Sequence, residues 1–300
     1  MQPKDLNVSK HISVVIASLG GAILRETIGK LNSGTVIPDE ILICTPSDYL
    51  KNISWVLPPN TRIIRTECHG QVQQRIEGLK AASGQLVMQL DDDIFFHSNC
   101  LEILVNTISP NSKWAIAPSF VSTVNGKSIY KLAPNKNFLF TVFYYLMNGR
   151  SGYVAGKVLS SGIGIGVDLE IEQTETVKVD WLAGGCILHH KNNLVLKDYY
   201  PLKGKAYCED LIHSYLLKEA GVNLFISTQA IAEIIPNKSI FELNIKAFIE
   251  HIKGEYQSRK YFQFVSKRSL WRMRIYYVIV LVLYVSQTSL RNLKNEIFKN

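Results

Sequence analysis

The sequence predicts an α/β domain with a mostly parallel sheet covered by helices on both faces, followed by a helical tail. Three observations predict it. Through the first 110 residues, short β-branched apolar runs alternate with stretches of helical spacing, the pattern of strand–helix–strand units. Those runs are apolar throughout, as strands buried on both faces are. Beyond residue 235 the composition shifts to basic and aromatic residues without strand signals.

The elements follow in order. His11–Ala17 is a strand ending in the turn Ser18-Leu19-Gly20-Gly21, and Ile23, Leu24, Ile28 and Leu31 mark a helix closed by Asn32-Ser33-Gly34. Glu40–Cys44 is a second strand stopped by Thr45-Pro46-Ser47, and Thr61–Arg65 is a third. Val72, Ile76 and Leu79 recur at i, i+4, i+7 and predict a helix from about Gln71 to Ala82, preceded by Gly70 and followed by Gly84. Gln85–Leu90 is a strand that runs straight into Asp91-Asp92-Asp93 and then Ile94-Phe95-Phe96. Phe138–Met147 is apolar all round and predicts a buried or interfacial helix. Ser160–Gly166 reads as a mobile loop; its G-x-G-x-G does not open a helix after a strand, so it is no dinucleotide fingerprint. Trp181–His190 is a strand broken by Gly184-Gly185, Glu209–Ala220 a helix ended by Gly221, and Val222–Ser227 a further strand. Two units are expected: a catalytic domain over 9–235 and a basic, apolar tail over 236–300.

The three aspartates carry the functional signal. Adjacent carboxylates repel, and an ionised one buried without a partner costs several kcal/mol. A strand end tolerates such a cluster when something positive is bound there, and carboxylate oxygens suit a hard cation, Mg²⁺ or Mn²⁺. The carboxyl edge of an α/β sheet is also where ligands sit. A second acidic pair, Glu209-Asp210, opens a helix. Its residues suit either a helix cap or a catalytic group, since the helix N-terminus favours negative charge in both cases.

In 300 residues of net charge +8 and sequence pI near 9.1, the basic balance points to phosphate-bearing partners. The Lys and Arg residues crowd the last fifth of the chain, among them Arg259, Lys260, Arg268, Arg272 and Arg274. That placement favours a membrane surface over nucleic acid. The uncharged run Ile275–Val285 would span only about 16 Å as a helix, half the ~30 Å of a hydrocarbon core. It therefore reads as an interfacial or re-entrant helix, with Tyr276, Tyr277 and Tyr284 at the headgroup level; a core helix or partner surface is the alternative. Five cysteines without a C-x-x-C pair read as reduced core residues, and the polar start carries no signal-peptide pattern. The expectation is a cytoplasmic protein, peripheral on the inner face of the cell membrane.

Taken in order, the early apolar strand and turn, Pro38-Asp39-Glu40-Ile41-Leu42-Ile43, the helix Gly70–Leu79, Leu90-Asp91-Asp92-Asp93, Val179–Cys186 and Cys208–Val222 resemble a family-2 glycosyltransferase of GT-A fold over roughly residues 10 to 230. The resemblance implies inverting transfer of a sugar from a nucleotide-sugar donor to a saccharide or lipid-linked saccharide, of the kind used in cell-surface polysaccharide synthesis. It implies Asp93, with Asp91, as ligands of a Mg²⁺ or Mn²⁺ that bridges the donor diphosphate. It further implies Ala17, Ser18, Arg75, Asp91 and Asp92 as donor contacts and Asp210 as general base. Trp181, Gly184, Gly185 and Glu209 are expected to contact the acceptor or sugar. Two departures from the pattern concern the nucleotide: Thr45-Pro46-Ser47 stands where an acid usually follows the second strand, and Ala17-Ser18 replaces the customary proline and threonine. The rival readings are a sugar-phosphate nucleotidyltransferase, which would want a basic glycine-rich loop after the first strand, and a non-catalytic scaffold of the same fold.

Overall fold

The computed structural model describes residues 11–108, 113–130, 138–149, 154–236 and 238–297; the polar start before His11 and the basic residue Lys299 lie outside them. Strands β1 (Ile12–Ala17), β2 (Glu40–Pro46), β3 (Thr61–Thr66) and β4 (Leu86–Leu90) lie in the order β3-β2-β1-β4, all parallel. Beyond β4 the sheet continues through β8 (Cys186–His190), β6 (Trp114–Ser122), β9 (Asn223–Ile234) and β5 (Ile94–Phe96), with β7 (Thr176–Val179) paired on β9. β8 runs antiparallel to both β4 and β6, while β6 and β9 are parallel. The N-terminal half is thus the expected parallel sheet, and the C-terminal half is mixed. The expected strand over Trp181–His190 is regular only from Cys186, because Trp181–Gly185 leaves the sheet to reach the site.

Side-chain alternation assigns the two faces. Val14 and Ile16 of β1 pack with Leu24, Ile28 and Leu31 of helix α1 (Ala22–Asn32) and Leu104 of helix α3 (Cys100–Thr107). Val15, one residue out of phase, points to the other face with Leu42, Cys44, Leu79 and Ala82, against helix α2 (Gln71–Ala81). Each such fully buried aliphatic side chain contributes roughly 1.5–3 kcal/mol relative to exposure. α2 lies so close to the strands that a Cβ on Gly78 would sit 2.3 Å from Cys44 Sγ and 2.5 Å from Val15 Cγ1. The fixed height of α2 over the sheet decides where its Arg75 ends.

The apolar segment Phe138–Asn148 is helix α4, with Tyr144 and Met147 buried but Phe138, Leu139 and Tyr145 largely exposed. It is therefore a surface helix, not a core one. Ser160–Gly166, expected as a mobile loop, lies in a packed turn: Leu159 N–H donates to Ile163 O at 2.9 Å, and Ser161 and Ile165 are buried. Helix α5 (Glu209–Glu219) covers the α2 face, and the chain ends in α6 (Ile245–Val265) and α7 (Leu270–Ile297). The tail folds back on the domain, where Arg268 donates to Val158 O at 2.9 Å and Arg259 reaches Gly162 O; within the tail, Phe248 of α6 stacks on Tyr284 of α7 with ring centres 3.6 Å apart.

Gly78→Ala is expected to destabilise the protein by about 1–3 kcal/mol, because overpacked Cβ contacts force α2 away from β1 and β2. Chemical denaturation reads this directly; an unchanged midpoint would mean that α2 is free to lift.

Candidate active site

β4 delivers the three aspartates to the carboxyl edge of the sheet. Asp91 N–H donates to Gly185 O at 2.7 Å, prolonging the β4–β8 pairing by one step and fixing the direction of the acids. Inside β4, Gln89 is fully buried and donates to Gly184 O at 2.8 Å, so the strand also holds the loop that carries both glycines.

Arg75 joins the two acidic groups. Its side chain is 2% exposed, with one guanidinium nitrogen 2.8 Å from Asp91 Oδ1 and another 3.0 Å from Glu209 Oε1. Burial alone would lower its pKa, but the Glu209 and Asp91 carboxylates outweigh that and hold it above the ordinary value. Gln71 donates to Asp91 Oδ1 at 2.9 Å and Tyr199 to Glu209 Oε2 at 3.0 Å. Arg75, expected as a donor contact, thus spends its charge on two carboxylates of the protein.

Asp91, expected as a cation ligand, is turned inward onto Arg75 and Gln71: its Oδ1 serves both donors, and Oδ2 is the oxygen they leave. Asp92 accepts from the Ser18 hydroxyl and its carbonyl from Thr27 at 2.7 Å. Ser18, just past β1, in turn accepts from Gly20 N–H at 2.9 Å. Ala17, at the end of β1, sits in the same corner, 9% exposed. Asp93 is the exposed member of the triplet. What burial it has, and then Asp91 and Asp92, raise its carboxyl above the usual range.

Asp210 lies in the first turn of α5, one residue past Glu209, with Leu211 N–H donating to its Oδ1 at 2.9 Å. The chain enters this helix through Cys208 in the left-handed region, φ 53°. The N-cap residue Cys208 makes no side-chain capping bond, and Glu209, the first helical residue, is committed to Arg75 and Tyr199. Burial, and after it the Glu209 carboxylate, push Asp210 up to about 7. It is thus poised to accept a proton near neutrality.

Gly184 and Gly185 face the acids. A Cβ on Gly184 would lie 2.2 Å from Glu209 Oε1, and one on Gly185 2.7 Å from Ile94 Cδ1 and 3.3 Å from Asp91 Oδ2. The space a side chain would take is filled by Glu209 at Gly184 and by Ile94 and Asp91 at Gly185, so these glycines admit their neighbours' side chains. Trp181 is mostly buried, its indole N–H donating to Ile165 O at 3.0 Å, and one edge lines the cleft at Asp210. His213 is buried behind the site and stacked on Tyr199 with rings 5.6 Å apart. Asp48, the nearest acid after β2, points to solvent, while the Thr45 hydroxyl is buried without a hydrogen-bond partner.

Gln71, Gln89 and Tyr199 escaped sequence reasoning. Gln89 had a signal: an uncharged polar residue inside a fully apolar strand, two positions before the acids. Gln71 and Tyr199 had none beyond proximity to flagged segments.

The residues fit a divalent cation shared with a ligand. Among the described residues no three His, Cys, Asp or Glu side chains converge on a closed metal cage. A cation held by one or two carboxylates and completed by phosphate oxygens needs no cage. Of the triplet, Asp91 alone forms an ion pair among the described residues, which leaves the Asp92 and Asp93 charges uncompensated by protein.

A parallel β3-β2-β1-β4 half, an antiparallel return through β8 and an aspartate cluster at the end of β4 define the GT-A fold of glycosyltransferases. The chain belongs to glycosyl transferase family 2, whose family model matches residues 13–161. It is similar in structure to GalNAc-T7, crystallised with UDP, GalNAc and Mn²⁺, at 18% identity and TM-score 0.56 over 85% of this chain and 50% of that one. A second solved structure is S. aureus TarS 1–349 in complex with UDP-GlcNAc, with 13% identity and TM-score 0.46 over 82% and 66% of the two chains. In sequence the chain is 26% identical over 189 residues to polypeptide N-acetylgalactosaminyltransferase 5 of Rattus norvegicus, covering 60% of this chain and 19% of that protein. It thus spans about a fifth of its curated relative.

Replacing Arg75 with Met would leave Glu209 and Asp91 facing each other without a cation, at a cost of about 3–5 kcal/mol. In that variant the folded-state carboxyl pKa values rise above their unfolded values. The loss is therefore largest near pH 8 and shrinks toward pH 4, where the acids are protonated. Urea unfolding at several pH values checks this; a pH-independent loss would contradict the ion-pair account.

Proposed function

We propose that the protein is an inverting, divalent-metal-dependent glycosyltransferase that moves a sugar from a nucleoside diphosphate to a saccharide or lipid-linked saccharide at a membrane, in cell-surface polysaccharide synthesis. The observation that carries this reading is the convergence of two acidic groups, far apart in sequence, on one buried arginine, with an outward aspartate on one side and a near-neutral aspartate on the other.

Asp93, assisted by Asp92, would hold the cation, and Ser18 keeps Asp92 in place. Mg²⁺ or Mn²⁺, when bound, would offset the negative charge that develops on a departing diphosphate. Asp210 accepts the proton of the acceptor hydroxyl. The hydroxyl oxygen then bonds to the anomeric carbon, and the bond to the diphosphate oxygen breaks with its electron pair leaving on that oxygen. A single displacement with one base opposite the leaving group inverts the anomeric centre. Glu209 is a positioning residue: it holds Arg75 and, through its charge, raises Asp210. Asp91 orients Arg75 from the other side.

A divalent-ion-dependent thermal shift with one nucleotide-sugar, screened from the UDP-N-acetylhexosamines outward, tests the donor site. Asp210→Asn is expected to keep that shift and lose about 10²–10⁴-fold in transfer. In the wild type, transfer should rise with pH along a limb near 7, since the base works only once deprotonated. Asp93→Ala should lose the metal-dependent shift. Retained anomeric configuration in the product would exclude inversion, and an unchanged Asp210→Asn rate would favour the scaffold alternative.

The tail supports membrane docking. α7 is longer than its apolar run suggested, and Leu270–Arg291 has the length and composition to cross a membrane. One stripe, Met273, Tyr277, Val280 and Tyr284, is buried against the protein, and the opposite stripe exposes Trp271, Val278, Val282 and Val285. α4 joins it, since Arg272 donates to Tyr145 O at 2.8 Å and Leu146 O at 2.6 Å. Two helices with exposed apolar residues and basic flanks suit the interface of an anionic bilayer, as on the inner face of the cell membrane. Val278→Asp with Val282→Asp is expected to release the protein from phosphatidylglycerol vesicles in flotation without lowering its melting temperature. Unchanged flotation would remove the docking role of α7.

A further inference from the structure

The tail does more than pack on the domain. A cleft of about 420 Å³ opens on Asp210, within the size range of small-ligand sites. One wall carries Trp181 and Tyr207; the other belongs to the tail, with His251, Glu255 and Arg259 on α6 and Tyr276 on α7.

The charges in this cleft are already allocated. Arg259 donates to Glu255, to Gly162 O and, through Nε, to Tyr277 Oη at 3.2 Å, and its plane lies 5.6 Å from the Tyr276 ring centre. All three guanidinium nitrogens thus have partners within the protein. Asp210 and Glu255 place two carboxylates against that one committed cation, with His251 3.8 Å from Glu255. An anionic ligand would be repelled, whereas hydroxyl groups find acceptors. Trp181, Tyr207 and Tyr276 add the apolar ring surface that the C–H faces of a sugar prefer.

The wall is fixed in position. A Cβ on Gly254 would lie 2.8 Å from Tyr207 Cε2, so glycine lets that ring lie directly on α6. Tyr200 Oη bonds to Ser258 Oγ at 2.8 Å and Tyr207 O at 3.1 Å, tying α6 to the loop before Asp210. Tyr207 Oη and His251 Nδ1 are 3.4 Å apart.

We propose that this cleft is the acceptor subsite and takes an uncharged sugar ring, with Glu255 and His251 of the tail as specificity-determining contacts that present a hydroxyl to Asp210. The proposal rests on the glycosyltransferase reading for its name as an acceptor site, but its binding chemistry is testable alone.

The probes are methyl β-galactoside, methyl β-N-acetylglucosaminide and methyl β-glucuronide, bound to the full-length protein and followed by saturation-transfer NMR. UDP release from UDP-GalNAc and UDP-GlcNAc in Mn²⁺ is measured in parallel. At least one neutral glycoside should bind and the glucuronide should not. Glu255→Gln, which keeps an acceptor for Arg259, and His251→Ala should each weaken that binding by about tenfold, the effect of removing a hydrogen-bonding partner in a polar site. Neutral binding that is absent, or unchanged in both variants, overturns the subsite, as does preferred binding of the glucuronide. Glycoside binding that depends on Glu255 and His251 without any UDP release upholds the subsite and overturns the glycosyltransferase reading instead.

Discussion

One buried cation organises this protein. Arg75 comes from the middle of α2, yet it meets Asp91 at the end of β4 and Glu209 at the start of α5, 134 residues away in sequence. Carboxylates at this density repel each other, and removing one partner of a buried set leaves a charge that neither water nor protein offsets. Gln71 and Tyr199 take up the lone pairs that Arg75 leaves. The absence of side chains on Gly184 and Gly185 lets the acids approach. The height of α2, set where Gly78 meets β1 and β2, is therefore a condition of the site as much as of the core.

The same cation shapes titration around it. His213 is pushed down to about 3 by burial and then by Arg75, and burial holds His189, whose ring centre is 5.4 Å from that of His213, well below the usual imidazole range. Both rings stay neutral at physiological pH, so they add no positive charge beside Arg75. Asp210 lies beyond these ion pairs, in a buried position beside the Glu209 carboxylate. Its carboxyl accordingly moves the other way, to about 7. A short stretch of α5 thus carries both an acid held by Arg75 and Tyr199 and a titrating one.

Much of this was legible in the sequence where local periodicity and chemistry coincide. The strands around Val14, Leu42 and Val87 and the helix bearing Arg75 are written in apolar spacing, and the triplet at 91–93 stands out because acids interrupt an apolar run. The two-faced nature of Glu209-Asp210 was legible as well, though not the hold of Arg75 on Glu209, which depends on an arginine arriving from another element. β6 and β7 escaped because Pro118 interrupts the first and the second is four residues long with a charged Lys178. The inward turn of Asp91 and the contents of the Gly184-Gly185 space are tertiary facts without sequence period.

The tail shows most clearly why a run of residues is a poor guide to a surface. Counting from Ile275 to Val285 measures hydrophobicity but not which face is engaged. In the folded chain α7 is 28 residues long, about 42 Å at 1.5 Å per residue, enough to cross a bilayer. Yet Tyr277 is bound by Arg259 and Tyr284 donates to Leu243 O at 3.0 Å. A crossing orientation would strip these bonds in a medium that cannot replace them, and it would detach Glu255 and Arg259 from the wall facing Asp210. The proposed docking along the surface would keep both faces satisfied, with the apolar stripe toward lipid and the polar bonds in protein.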